Sequence, residues 1–275
     1  MICDFVKEVI LYSKFSVNCR AAKRSNTLKG MILRRTLCGT INLNLTCLFF
    51  LFGVLSVSGV SQSSKVINLE EIPQRKVRKY IVSSEIDQMN DFSAIHASWK
   101  EGISESGFHI RSKTFYLEFN LSNVWECYRH TGPEKMWNGQ FSQLGLLISK
   151  CSNTVIYANN SYFPEIDTGQ VCFLNLRIMR GLFNVPVAFE VINIDNNKHI
   201  LEVSYIENNK SKGKQTIQFF DNGDGCTRIV HGSYFKSKSW LYDDIFYPYF
   251  HKKIIKEFHR KMGQIVKNAN PIISG

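Results

Sequence analysis

The sequence predicts an α+β fold in which a curved, seven-stranded antiparallel sheet wraps around one long C-terminal helix, with two short helices after the first strand. Three observations predict it. A β-prone run near Thr114 is followed by two helical segments. Six strand-like runs then follow in quick succession, separated by turn-rich punctuation. The chain closes on an apolar stripe at helical spacing.

The first elements are weakly marked. Val66 to Lys79 carries Pro73 and the basic cluster Arg75, Lys76, Arg78 and Lys79, and reads as a solvated linker. Ser84 to Trp99 reads as a helix. Ser84 and Asp87 fit an N-cap pattern, and Ile86, Met89, Ile95 and Trp99 fall near helical spacing. From Ser112 the pattern changes. Thr114 to Phe119 is aromatic and β-prone, and Asn120-Leu-Ser122 breaks it. Val124, Trp125 and Tyr128 mark a short helix. Pro133 opens a second helical region carrying Met136, Trp137, Phe141, Leu144 and Leu147.

The strand-like runs are Thr154–Phe163, Gln170–Arg180, Pro186–Ile194, His199–Glu207, Lys214–Phe220 and Thr227–Lys236. Between the later ones stand Asp195-Asn-Asn197, Glu207 to Gly213 and Asp221-Asn-Gly-Asp-Gly225, residues that tolerate turn geometry. Such close spacing predicts an antiparallel meander. Leu201, Val203 and Tyr205 share one face, Glu202 and Ser204 the other, as period two requires. The last helix is expected from Tyr242 to Lys267. Phe246, Phe250, Ile254, Phe258, Met262 and Ile265 form its stripe, and Pro248 fits a first turn, where a missing N–H is harmless. A stripe that broad needs the concave face of the sheet as its partner.

The charge of +11 is unevenly spread: residues 1–59 hold eight Lys/Arg and two Asp/Glu. Much of the basicity therefore precedes the folded part, which argues against a nucleic-acid partner. Ile41 to Gly59 is uncharged. Arg34 and Arg35 stand before it, and Val57 and Gly59 are placed as at a signal-peptidase site. This describes a secretory signal or signal anchor, with Met31 as a natural start. The expected organisation is an N-terminal extension with signal over 1–59, a linker with a helix over 60–110, and the main domain over 111–268. The domain would then lie outside the cytoplasm, secreted, periplasmic or anchored, with membrane association through residues 41–59. Cys127, Cys151, Cys172 and Cys226 would remain, with three full pairings open to them and free thiols equally admissible.

No catalytic signature stands out. The loop from Asp221 has Gly223 and Gly232 where a calcium loop wants carboxylates. His251 and His259 are eight residues apart, without metal-binding spacing, and read as two partly exposed histidines. No phosphate loop, dinucleotide fingerprint or nucleophile elbow occurs, and no cofactor is implied. The better candidates are polar residues on apolar strand faces: Tyr205 with Leu201 and Val203, Gln215 with Ile217 and Phe219, and His231 with Ile229 and Phe235. If those faces line a cavity, the three side chains would orient a polar group on an apolar ligand. The plainer reading of each is a core residue satisfied by a neighbour, or one that points to solvent.

Over roughly Arg111 to Lys267 this order resembles the helix-grip fold of the START-like (SRPBCC) superfamily, with its polyketide cyclase/dehydrase-like and lipid-transfer branches. The segments that carry the resemblance are Gly213 to Phe220, Asp224 to Phe235 and the helix that follows. The resemblance implies a cavity between sheet and helix but no universal catalytic residue. The expected function is an exported binding protein for a hydrophobic small molecule or lipid. The alternatives are a cyclase- or hydrolase-like enzyme using His231 or Tyr205 as general acid or base, and a filled-core interaction module without ligand.

Overall fold

The computed structural model describes residues 67–237 and 247–270. The expected secretory segment, Ile41 to Gly59, lies outside the described residues. Among those described, no helix is long and apolar enough to cross a membrane.

The main body is one antiparallel sheet gripping a long helix. The elements are β1 (His109–Leu117), α2 (Leu121–His130), α3 (Pro133–Trp137), β2 (Ser142–Ser149), β3 (Thr154–Tyr157), β4 (Gln170–Ile178), β5 (Phe183–Asp195), β6 (Ile200–Tyr205), β7 (Ser211–Asp221), β8 (Thr227–Ser237) and α4 (Tyr247–Ala269), preceded by α1 (Arg75–Ser83). The strand order is β1-β8-β7-β6-β5-β4-β2-β3. From β4 to β8 the strands form the expected meander, and β1 closes onto β8, with Lys113 opposite His231. This is the helix-grip architecture. Register shifts at Leu144/Leu146 and at Val191/Asn193 bend the sheet, as β-bulges do. Inside the curve, Ile229, Phe219, Leu201, Leu174 and Leu147 pack on Phe258, Met262 and Val266 of α4.

The sheet has eight strands rather than seven, because the second helical region is shorter than expected. It ends at Trp137, and Ser142–Ser149 is a strand. The reason is burial on both faces. Leu144 and Leu147 face the inner core, while Leu146 and Ile148 face a second apolar cluster on the outer face. A strand covered on both sides loses the polar alternation that identifies it. The bulge at Gly145 further replaces the two-residue step by one of three, which imitates a helix. Gly145 is also demanded by packing: a Cβ there would stand 2.9 Å from Val77 of α1.

The outer cover comes from the segment expected to be a linker. Residues 75–83 are a helix, and Ser84–Trp99 is not. The four cations of α1 surround an i, i+4 pair, Val77 and Ile81, which is fully buried against Phe173, Ala188 and Leu146. The cluster is thus the solvated side of an amphipathic helix. Beyond it, Glu85 takes a left-handed φ of 58°, and only short 3-10 turns form at Ile86–Gln88 and Phe92–Ala94. The apolar residues of this stretch still reach the core, since Ile86, Phe92 and Ile95 are buried on the outer face. The segment ends alongside β6, where Ser98 N–H donates to the Tyr205 carbonyl at 2.6 Å. Cys127, Cys151, Cys172 and Cys226 are free thiols in this fold.

Candidate functional site

Strand pleating brings the three polar candidates side by side on the concave face. Tyr205 sits on β6, Gln215 on β7 and His231 on β8, and a hydrogen bond joins each to the next. The Gln215 amide donates to the Tyr205 hydroxyl at 3.1 Å, and the His231 Nε2 meets Gln215 Oε1 at 2.8 Å. The series continues at both ends. Tyr205 and Tyr247 share a hydroxyl contact of 2.7 Å. His231 Nδ1 meets His259 Nε2 at 2.8 Å, and His259 Nδ1 meets the Tyr128 hydroxyl at 2.9 Å. Six side chains from α2, β6, β7, β8 and α4 thus form one polar chain through an otherwise apolar core, buried except at the half-buried Gln215.

Donor and acceptor roles follow from its ends inward. Gln215 Oε1 only accepts, so His231 carries its proton on Nε2 and accepts on Nδ1. His259 must then donate from Nε2 and accept the Tyr128 proton on Nδ1. Every link is satisfied with both imidazoles neutral. Burial enforces the same state. It holds His231 well below its ordinary pKa, with the neighbouring His259 and His251 adding to the effect. Burial, aided by the Lys113 charge, brings His259 down to about 3. Burial alone brings His251 to about 4, and it pushes the Tyr128 phenol well up. None of these groups exchanges a proton near neutrality, where a general acid or base works best. The chain is therefore a fixed, directional line of dipoles.

One end of the line meets a cleft. Tyr205 and Tyr247 border a space of about 60 Å³ between β4, β5 and the first turns of α4, whose walls include Ile178, Val185, Val187, Phe250 and Ile254. His251 stacks on Tyr247 at 4.7 Å in the same wall. Away from the cleft, the inside of the grip is filled. Trp137 stacks on Phe258 at 4.6 Å, and Tyr128 meets Phe219 edge-on at 4.8 Å. Glu257 fixes the helix from its other side. Its carboxylate accepts the N–H of Gln140 at 2.6 Å and of Phe141 at 2.8 Å, and lies where a Cβ of Gly139 would be.

His259, Tyr128 and Tyr247 were not among the expected site residues. His259, expected to be partly exposed, is 2% exposed. A signal for it existed. Ile255, His259, Met262 and Val266 repeat at four, three and four residues, a helical ridge beside the expected one. Ile255, Met262 and Val266 are buried, whereas Phe250 and Ile254 are only half-buried because they wall the cleft. Among the described residues no group of three His, Cys, Asp or Glu side chains is placed to hold a metal ion.

No family model matches the chain, and no curated protein matches it. Solved structures do. Norcoclaurine synthase from Thalictrum flavum, in complex with dopamine and hydroxybenzaldehyde, is 14% identical, with a TM-score of 0.44 over 62% of this chain and 95% of that one. A START superfamily protein from Mycobacterium smegmatis is 11% identical, with a TM-score of 0.41 over 59% of this chain and 99% of its own. A conserved protein from Geobacillus kaustophilus matches at 11% identity and a TM-score of 0.41 over 58% and 97%. The likeness is too distant to transfer a ligand or a reaction. The helix-grip assignment stands on this chain's own strand order and pairing.

Proposed function

We propose that the protein is an exported binding protein for a hydrophobic small molecule or lipid, taken up at the cleft between β4, β5 and the start of α4. The observation that carries this reading is an apolar cleft that ends on the Tyr205–Tyr247 hydroxyl pair. Apolar walls with a few fixed polar groups are how small-molecule sites are built. Gln215 and His231 act behind the pair, holding the Tyr205 hydroxyl in place. A space of 60 Å³ equals about two water volumes, so an acyl chain requires the half-buried Phe250 and Ile254 to swing outward with the first turns of α4. Mass spectrometry of solvent extracts from the native protein tests this, and a stoichiometric apolar compound is the expected result. Ile254→Trp should fill the cleft and abolish binding of a fluorescent apolar probe with the melting temperature kept. Retained probe binding, or native protein that is always empty, sinks the reading.

The filled-core interaction module is the second reading, favoured by the aromatic packing of Trp137, Phe258, Tyr128 and Phe219 inside the grip. Empty native protein supports it. The enzyme reading has less support, since both ring nitrogens of His231 are engaged and its proton affinity is suppressed. Export is supported by the Arg34/Arg35, apolar core and Val57/Gly59 pattern. N-terminal sequencing of the native protein should give a start near Val60, or an uncleaved chain in the membrane fraction. A cytoplasmic product keeping Met1 or Met31 overturns it.

A further inference from the structure

The cleft is walled by Ile178 and Val185, at the ends of β4 and β5 next to their connecting turn, and by the first turns of α4, and that turn has an unusual surface. The turn Met179–Gly181 puts Met179 at a φ of 50° and Gly181 at 93°. Apolar side chains point outward from it: Met179 is 44% exposed, Leu182 71% and Phe183 38%. Three large apolar side chains on one exposed turn form a cluster, and such clusters mark interaction sites.

The helix beside the turn presents cations. At 100° per residue, Tyr249, Lys252, Lys253, Lys256, Arg260 and Lys267 fall on one face of α4. The sole acid of the helix, Glu257, is turned away and bound to Gln140 and Phe141 N–H groups. Lys113 of β1 lies close enough to Lys252 and Lys256 to be repelled by both. None of these lysines has a carboxylate partner among the described residues. Phe141 links the two surfaces: Arg177 at the base of the turn donates its N–H to the Phe141 carbonyl at 2.8 Å, and Lys253 lies 5.9 Å from the Phe141 ring. Tyr249, 56% exposed, accepts a hydrogen bond from Lys253 at the same place.

We propose that this end of the protein docks on an anionic phospholipid bilayer. Met179, Leu182 and Phe183 enter the headgroup layer, Tyr249 sits at its level, and Lys252, Lys253 and Lys256 face the phosphates. Apolar side chains rimmed by cations are what an interfacial site requires. A partner offering acidic groups alone would meet the cations but leave the apolar turn uncovered. A nucleic acid would do the same. The proposal deepens the binding-protein reading by giving an apolar ligand a source next to the cleft, yet docking does not depend on a ligand being carried.

Vesicle co-sedimentation of the full-length chain tests it, with phosphatidylcholine alone and with about a third phosphatidylglycerol. Each cation at an anionic surface contributes roughly fivefold in partitioning. The expected result is at least ~10-fold tighter binding to anionic vesicles, lost in Lys252→Glu/Lys256→Glu, with an unchanged melting temperature. Leu182→Trp should show a blue-shifted emission on anionic vesicles only. Binding that ignores both lipid charge and the double substitution would trace to residues 41–59 instead and overturns the proposal. So does equal saturation by soluble inositol phosphates or nucleic acid without vesicles. Empty native protein that still docks would remove the ligand-carrying function while leaving the docking surface standing.

Discussion

Alanine at Phe258 should lower the melting temperature by on the order of 10 °C, while alanine at Lys256, two residues away, should leave it within error. Phe258 is 3% exposed, stacks on Trp137 and meets Tyr128 edge-on. Its ring ties α4 to both short helices, so its loss opens a cavity where three helices meet the sheet. Deleting a buried phenyl ring typically costs ~3–5 kcal/mol, against a total stability of roughly 5–15 kcal/mol. A domain of this size loses about 2–4 °C per kcal/mol. Lys256 is exposed on the opposite face, where substitutions stay within about 0.5 kcal/mol. Thermal unfolding of both variants, followed by circular dichroism at neutral pH, decides the matter. Similar small shifts would mean that α4 is not the core element it is described to be.

How much of this was readable beforehand depended on how each face is covered. β5 to β8 have a turn at each end and a polar side, so period two and the Asp/Asn/Gly clusters placed them within a few residues. β2 lacks a polar side because α1 covers its outer face, and its bulge at Gly145 breaks the step; no local pattern distinguishes such a run from a buried helix. α1 was hidden for the complementary reason. Its four cations outnumber its two core residues, and only a surface waiting for Val77 and Ile81 makes them a helix. The candidate site was half legible. Alternation put Tyr205, Gln215 and His231 on the same strand faces as Leu201, Ile217 and Ile229 but left open which way those faces turn; the structure turns them inward. That they would bond to one another needed strand order, which puts β6, β7 and β8 side by side. That His259 and Tyr128 would extend the line needed the crossing of α4 over the sheet, which no local pattern contains.

Acid should loosen the grip well before it protonates ordinary surface carboxylates. Two imidazoles, His231 and His259, are buried between β8 and α4 and joined by a hydrogen bond of 2.8 Å, and a third, His251, lies half-buried beside them in the wall of the cleft, as partly exposed as the sequence suggested. The groups around them are Tyr128 from α2, Gln215 from β7, Ser233 from β8, Tyr247 from α4 and the cationic Lys113 from β1. No carboxylate contacts them among the described residues, and nearby Glu257 is bound to Gln140 and Phe141 instead. Among the described residues nothing local therefore stabilises an imidazolium. In the unfolded chain each histidine takes a proton near pH 6.5. In the fold His251 does so only near 4 and His259 only near 3, and His231 is lowered as well. Below pH 6.5 the unfolded state thus binds more protons. The contribution is fully present above that value and falls as the pH drops toward 4. By pH 4.5 His251 and His259 should each have cost roughly 2–3 kcal/mol. Urea unfolding from pH 7.5 to 4.5 should show that loss. His259→Gln keeps a donor toward His231 and an acceptor for Tyr128 but cannot titrate. It should flatten the pH dependence by about one proton, or ~1.4 kcal/mol per pH unit in the steep range. The same slope in both proteins would show that the histidines are not held neutral by the fold, and that acid acts through the carboxylates alone.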